Sequence, residues 1–154
     1  MEKSKKRILI VDDDAMIRRS FKEILQRGGY IVDTAPTGAE AIQKSFTEFY
    51  NLALIDIRLP DMDGIKLLTE MKETTPKMRK IIVTGFPDLQ NAIAAIRGAA
   101  DDYLTKPASA DSLLQAIEKN LRIQQGEGEY SQQKVADYIE NRVRELELND
   151  DDAD

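Results

Sequence analysis

Apolar runs alternate with amphipathic segments along most of the chain. Between the runs, apolar residues recur at the spacing of one helix face, as Ile17, Phe21 and Leu25 do. This alternation is typical of an α/β fold with a parallel sheet. Residues 52–56 are almost entirely apolar, which predicts a central strand, whereas the more polar 30–34 predicts an edge strand. In all, five runs predict strands, over residues 7–11, 30–34, 52–56, 80–84 and 102–105.

Short polar signals predict where several helices begin and end. Asp14 follows the first strand and is expected to cap the first helix. The paired glycines at 28–29 predict its end. Thr37 and Glu40 have the spacing of a capping box and predict the start of the second helix. The acidic residues of the loop 59–64 are expected to shape the turn.

After residue 124 the composition changes. Two glycines among Gln and Glu predict a linker or helix stop, and residues 131–148 predict another helix, followed by an acidic tail to residue 154. We therefore expect a main domain over 1–124 and a linker, helix and tail over 125–154. A short helix is marginally stable alone, so this one is expected to pack on its own domain, a second subunit or an output domain absent from this chain. A solvated, partly frayed helix is the alternative. Its apolar residues at heptad spacing are Ala136, Ile139, Val143 and Leu146.

Composition excludes several classes of function. The 154 residues contain neither Cys nor His, which excludes disulfides, thiolate or His-ligated zinc sites and Ser-His-Asp catalysis. The formal net charge of −6 argues mildly against a strong nucleic-acid binder. No apolar run approaches the roughly 20 residues of a membrane span, and the basic N-terminus lacks the pattern of a signal peptide. A cytoplasmic protein is expected.

Polar residues with reactive side chains follow four of the predicted strands. Carboxyl ends of parallel strands meet at one edge of a sheet, where ligands bind in open α/β folds. Any one of these residues is also explained as a turn residue, a helix cap or a solvated charge, but together they favour a site for Mg²⁺ and a phosphoryl group. They are Asp12, Asp13, Asp56, Thr84 and Lys106.

The order and spacing of these residues resemble the receiver domain of two-component response regulators, over about residues 5–124. The resemblance implies a doubly wound, five-stranded parallel sheet of order 2-1-3-4-5 with a C-terminal helical extension. It implies that Asp56 accepts a phosphoryl group from a histidine kinase. Thr84 would donate its hydroxyl to a phosphoryl oxygen, and Lys106, preceding a cis Pro107, would supply positive charge.

The resemblance also implies a metal site and a switch. Mg²⁺, or another divalent cation such as Mn²⁺, would be held by Asp13, Asp56 and the backbone carbonyl of Arg58, with Asp12 acting partly through water. On phosphorylation Thr84 would move inward and Tyr103 would turn in, although Tyr103 is equally well explained as an ordinary strand aromatic. Two further positions would tune dephosphorylation, namely Arg58 and Phe86.

The expected partners are proteins. A histidine kinase would supply the phosphoryl group, and a downstream protein or second subunit would bind either the face formed by helix 4, strand 5 and helix 5 or the C-terminal helix. No direct nucleic-acid binding and no membrane contact are expected. Beyond its own phosphorylation and autodephosphorylation the chain is not expected to be an enzyme.

The sequence allows more than one interpretation of the function. The favoured hypothesis is a stand-alone response regulator, and the alternative is the receiver fragment of a longer transcriptional regulator. A phosphohydrolase of the haloacid dehalogenase type is disfavoured, because such enzymes place a second Asp where Arg58 stands. A nucleotide- or flavin-binding module is disfavoured by the absence of the glycine-rich phosphate-binding motifs. A receiver-like protein that only binds partners is disfavoured because all five family positions are intact.

Overall fold

The computed structural model describes residues 5–85, 88–97 and 100–151. Its five parallel strands have the order β2-β1-β3-β4-β5, which confirms the predicted fold. The strands are β1 (Arg7–Val11), β2 (Ile31–Ala35), β3 (Leu52–Ile55), β4 (Arg79–Thr84) and β5 (Asp102–Thr105). The helices are α1 (Ala15–Arg27), α2 (Gly38–Thr47), α3 (Gly64–Glu70), α4 (Leu89–Arg97) and α5 (Ala110–Asp151).

Side chains alternate between the two faces of the sheet and build two apolar layers. On one face, Leu9 and Val11 of β1 pack with residues of α2, α3 and α4. On the other, Ile8 and Ile10 pack with α1 and α5. All four residues of β3 are buried, as expected for a central strand. The sheet is therefore covered on both sides, and only its edges remain accessible to a ligand.

The predicted helix caps form at both positions. The Asp14 carboxylate accepts hydrogen bonds from the amides of Met16 and Ile17 at the start of α1. The Thr37 hydroxyl accepts from the Glu40 amide at the start of α2. Both helices consequently begin just beyond the carboxyl end of a strand, beside the edge where the polar residues lie.

The helix stop predicted near residue 126 is wrong. α5 continues through Gly126 and Gly128 as one helix from Ala110 to Asp151. A glycine within a helix costs roughly 1 kcal/mol relative to Ala but keeps its backbone hydrogen bond, so the helix can continue through it. The tail predicted from residue 149 is likewise helical as far as Asp151, and residues 152–154 lie outside the described part.

α5 is anchored to the amino ends of the strands by two buried amide side chains. Asn120, fully buried, accepts hydrogen bonds from the Arg79 guanidinium at 2.8 and 3.2 Å and donates to Asp102 at 3.0 Å. Gln124 donates to the carbonyls of Asn51 and Lys77 at 2.9 and 2.7 Å. Gln124 is the last buried residue among the α5 side chains that the structure describes. Among the described residues, no helix is long and apolar enough to cross a membrane.

Candidate functional site

Backbone pairing continues past the strands and holds the candidate residues in place. The Asp12 amide donates to the Ala35 carbonyl at 3.1 Å, and the Asp56 amide donates to the Val11 carbonyl at 2.9 Å. The Lys106 amide donates to the carbonyl of Thr84 at 2.8 Å. The ends of β1, β3, β4 and β5 therefore present their polar residues along one edge of the sheet.

Three carboxylates meet at this edge. Asp12, Asp13 and Asp56 each offer an oxygen, and the three oxygens lie within 4.8 Å of one another. Asp12 and Asp56 are buried, whereas Asp13 is exposed. Carboxylate oxygens suit a hard divalent cation such as Mg²⁺. The exposed side of the cluster, at Asp13, leaves room for the several water molecules that Mg²⁺ keeps. These side chains are therefore suited to hold such a cation.

Lys106 lies between two of these acids. Its Nζ is 2.5 Å from Asp12 Oδ2 and 3.0 Å from Asp56 Oδ2. Burial opposes the charged ammonium, but the hydrogen bonds to the two carboxylates outweigh it and raise the pKa of Lys106 above its ordinary value. The residue is therefore a permanent positive charge at neutral pH. The Lys106–Pro107 peptide is cis, as the resemblance implied.

Asp12 is the more deeply buried member of the ion pair, with a side chain 5% exposed against 15% for Lys106. Burial raises the pKa of Asp12, because it outweighs the lowering by the hydrogen bonds from Lys106 and from the Asp14 amide. Repulsion by Asp56 adds to the rise. The ion pair thus favours the charged form of Lys106. The ionised form of Asp12 is still disfavoured by burial, and a further cation at the site would reduce this cost.

Thr84 and Tyr103 lie on the same face of the sheet. Thr84 is two residues beyond Ile82, and Ile82 is the register partner of Tyr103. Ile82 belongs to the apolar layer under α2, α3 and α4, and Tyr103 packs against that layer. Thr84 is completely buried. The Tyr103 hydroxyl is buried too, and it has no hydrogen-bond partner among the described residues.

The loop after Asp56 is held unusually close to α3. The Gly64 amide donates to the Ile57 carbonyl at 2.7 Å. A Cβ on Gly64 would lie 2.1 Å from the backbone oxygen of Asp56 and 2.9 Å from Ile57 Cα, so only glycine fits there. Gly64 therefore fixes the backbone that carries Asp56.

Asp61 ties the same loop to α2. Its carboxylate accepts hydrogen bonds from the amides of Gly38 and Ala39, each at 2.9 Å. These amide hydrogen bonds lower the pKa of Asp61. The expectation that the acids of this loop shape the turn is confirmed, since Asp63 also caps α3 through the Ile65 amide.

The structure brings most of the predicted site residues together. Asp12, Asp13, Asp56 and Lys106 form one cluster. Arg58 is exposed, and its amide donates to Asp56 Oδ1 at 3.2 Å, so its backbone adjoins the cluster. Phe86 lies outside the described residues.

Sequence reasoning missed three supports of the cluster. The Asp14 amide donates to Asp12 Oδ1 at 2.9 Å, and the Arg18 guanidinium donates to the Asp12 carbonyl at 2.8 Å. The third is Gly64, for which the Asp-Gly pair at 63–64 was the available signal. Each support depends on a neighbour that a strand pattern does not reveal.

Removing Asp13 should abolish stabilisation by Mg²⁺. A cation at 100 times its Kd stabilises the native state by about 2.7 kcal/mol, and Asp13→Ala removes the exposed carboxylate of the cluster. The same change should leave the metal-free protein as stable as the parent, or slightly more stable, because a like charge is removed. Thermal melts with Mg²⁺ and with EDTA measure both effects.

The matched control for this experiment is Asp14→Asn. It alters the neighbouring acid, and Asn caps a helix about as well as Asp. If Mg²⁺ stabilised Asp13→Ala as much as the parent protein, Asp13 would not be a ligand.

Comparison with known proteins agrees with this geometry. The family profile described as response regulator receiver domain matches residues 8–118. A solved CheY-like response regulator receiver domain protein from Methanospirillum hungatei JF-1 is 46% identical, with a TM-score of 0.77, over 81% of this chain and 100% of that chain. The chemotaxis protein CheY of Bacillus subtilis is 40% identical over 116 residues, which are 75% of this chain and 97% of CheY.

Longer regulators match as well. The alginate biosynthesis transcriptional regulatory protein AlgB of Pseudomonas syringae pv. tomato is 39% identical over 119 residues, which are 77% of this chain but 27% of AlgB. The chain thus spans about a quarter of the length of the AlgB proteins that it matches. With its fold, its acidic cluster and these matches taken together, the chain belongs to the response regulator receiver domain family.

Proposed function

We propose that this chain accepts a phosphoryl group on Asp56 from a phosphohistidine of a histidine kinase and thereby changes its contacts with other proteins. The observation that carries the proposal is the position of Asp56. Its carboxylate lies at the end of the central strand, 3.0 Å from the Lys106 ammonium and beside Asp12 and Asp13. A nucleophile held between a fixed cation and a set of metal-ligating oxygens is suited to phosphoryl transfer, which depends mainly on positioning and charge neutralisation.

In the proposed reaction, an Asp56 oxygen attacks phosphorus as the bond from phosphorus to the kinase histidine nitrogen breaks. The products are an aspartyl phosphate and the free imidazole. Lys106 keeps its proton and balances charge on the phosphoryl oxygens, while the Arg58 amide orients the Asp56 carboxylate. Mg²⁺ or Mn²⁺, held by Asp13 and Asp56 with the Arg58 carbonyl as a further ligand, would supply additional positive charge.

The proposed response passes through Thr84 and Tyr103. The phosphoryl group would draw the Thr84 hydroxyl toward it, and Tyr103 shares the face of the sheet on which Thr84 lies. Burying the Tyr103 hydroxyl with no hydrogen-bond partner among the described residues is costly. This cost supports the proposal that the Tyr103 side chain can adopt a second position. The surface of α4, β5 and α5 would change and bind a downstream protein.

This role makes the chain a signalling module that turns over no separate substrate and works in the cytoplasm. The match to nearly all of CheY supports a stand-alone regulator. The match of this chain to a quarter of AlgB supports the second candidate, in which the chain is the receiver part of a longer transcriptional regulator. Neither candidate requires this chain to contact nucleic acid itself.

Intact-mass measurement tests the acceptor function. Incubation with a small phosphodonor such as acetyl phosphate should add one phosphoryl group when Mg²⁺ is present and none when EDTA replaces it. The adduct should be lost in hydroxylamine, which cleaves acyl phosphates but not phosphate esters. An unchanged mass with both Mg²⁺ and Mn²⁺ would contradict the proposal, and so would equal labelling in EDTA.

A further inference from the structure

The C-terminal part of α5 exposes a row of aliphatic side chains. Every residue from 135 to 148 is exposed, so none of this segment packs on the domain from which it extends. Ile139, Val143 and Leu146 are 55%, 49% and 53% exposed. We call Ala136, Ile139, Val143 and Leu146 the C-terminal stripe. Large aliphatic side chains in a continuous row are costly in water, so the stripe requires a partner surface.

The stripe has the spacing of a coiled-coil seam. Its residues are separated by three, four and three positions, which places Ala136 and Val143 at a and Ile139 and Leu146 at d of a heptad repeat. The second heptad has Val143 at a and Leu146 at d, and a β-branched residue at a combined with Leu at d favours two parallel strands. Towards the amino end the seam stops, because the preceding d and a positions are Gln132 and Glu129.

The charges beside the seam match a second copy of the same helix. Arg142 takes position g and Glu147 takes position e. In a parallel pair, g of one helix faces the following e of the other, so Arg142 of each copy meets Glu147 of its partner. An antiparallel pair in which Ile139 faces Val143 of the other copy would instead bring the two Glu140 side chains together, and likewise the two Arg142 side chains, and like charges repel. The pattern is complementary to itself, as a two-fold interface requires.

We propose that two copies of this chain associate through the C-terminal stripe as a parallel, two-stranded coiled coil. The inference does not depend on the acceptor chemistry. Asn120 and Gln124 anchor α5 to the sheet, and the same helix continues without a break into the exposed segment, so the helix leaves each domain in a fixed direction. A parallel pair therefore sets both domains at the same end of the coiled coil. Pairing would also support the helix beyond Gly126 and Gly128, where its own propensity is weakest.

Sedimentation equilibrium over a range of concentrations tests the association. The seam covers about two heptads, so the parent chain should rise from 17.4 kDa toward twice that mass as concentration increases. Ile139→Asp with Val143→Asp should remain at 17.4 kDa throughout. The matched control is Tyr138→Asp with Leu148→Asp, which places the same charges on exposed apolar positions outside the seam and should still dimerise.

Two outcomes overturn the proposal. A parent chain that stays monomeric at every concentration would assign the stripe to a different protein or to solvent. Equal masses for the seam variant and its control would show that any association uses another surface. All four substitutions lie within residues 135–148, where every side chain is exposed, so the domain should remain folded, and thermal melts of both variants verify this.

Single cysteines test the orientation, since the chain contains none of its own. A parallel pair brings position 143 of both copies together across the axis, so Val143→Cys should form disulfide-linked dimers on mild oxidation. Asn141→Cys, at position f on the opposite side of the helix, is the control and should stay largely monomeric. Equal crosslinking of the two variants contradicts the seam. Crosslinking of Val143→Cys only when mixed with Ile139→Cys would show an antiparallel pair and overturn the parallel one.

Discussion

Asp56→Asn should lose phosphoryl acceptance completely, because an amide oxygen is a poor nucleophile where a carboxylate is required. The fold should persist. The Asn oxygen can still accept from the Arg58 amide, which now lies 3.2 Å from Asp56 Oδ1, and Lys106 keeps its shorter contact with Asp12 at 2.5 Å. Intact mass after treatment with acetyl phosphate and Mg²⁺ reports the labelling, and a thermal melt reports the fold.

The control for this loss is Asp14→Asn, which removes an exposed acid two residues from Asp12 while keeping the cap of α1. It should be labelled as fully as the parent protein. Labelling of Asp56→Asn equal to that of the parent would assign the phosphoryl group to another residue. Loss of labelling in both variants would show that the assay responds to the acidic edge as a whole and not to Asp56 in particular.

Gly64→Ala should cause the largest loss of stability among Gly→Ala changes at the glycines whose surroundings the structure describes. The added carbon would lie 2.1 Å from the Asp56 oxygen and 2.9 Å from Ile57 Cα, and both of these are backbone atoms that cannot rotate away. Overpacking of this kind costs about 1–3 kcal/mol. Loss of the hydrogen bond from the Gly64 amide to the Ile57 carbonyl adds about 1 kcal/mol. Urea unfolding should therefore show a loss of about 2–4 kcal/mol.

The same substitution elsewhere supplies the control. At Gly126, in the exposed part of α5, an added Cβ meets nothing within 4 Å. Gly126→Ala should leave stability unchanged or raise it by as much as about 1 kcal/mol, through helix propensity alone. If Gly64→Ala lowers the free energy of unfolding while Gly126→Ala raises it or leaves it unchanged, the loss at position 64 comes from the contact with the Asp56 backbone.

Gly64→Ala should also slow phosphoryl acceptance, since it displaces the backbone that carries Asp56. The rate should be compared below the unfolding transition, where both proteins are folded. If the free energy of unfolding of Gly64→Ala lay within about 0.5 kcal/mol of the parent value, the usual range of a neutral surface substitution, the loop would have adapted to the added methyl group. An unchanged rate of phosphoryl acceptance would show that Gly64 does not position the acceptor.

Several features of this protein were determined by the sequence alone. The alternation of apolar runs with helical patterns was sufficient for the five strands and their parallel arrangement, and the run 52–56 was sufficient for the central strand. Asp14 and Thr37 act as caps because capping joins residues only two or three positions apart. Such features depend on residues close together in the sequence, so periodicity and residue type predict them directly. The strand order came from a family resemblance and not from pattern, because pattern does not state which strands are neighbours.

Other features were decided by the tertiary structure. Lys106 meets Asp12 across 94 positions of sequence, and only closure of the sheet brings the two together. Glycine is required at 64 because the backbone of Asp56 and Ile57 passes so close that a Cβ would overlap it. The Asp-Gly pair at 63–64 indicates a turn but does not reveal this contact. The glycines at 126 and 128 predicted a break, yet α5 continues through them, since propensity is a weak preference that an otherwise helical context overrides. Because α5 is continuous, the C-terminal stripe is exposed beyond the domain. The sequence alone also allowed this helix to fold back and pack on its own domain.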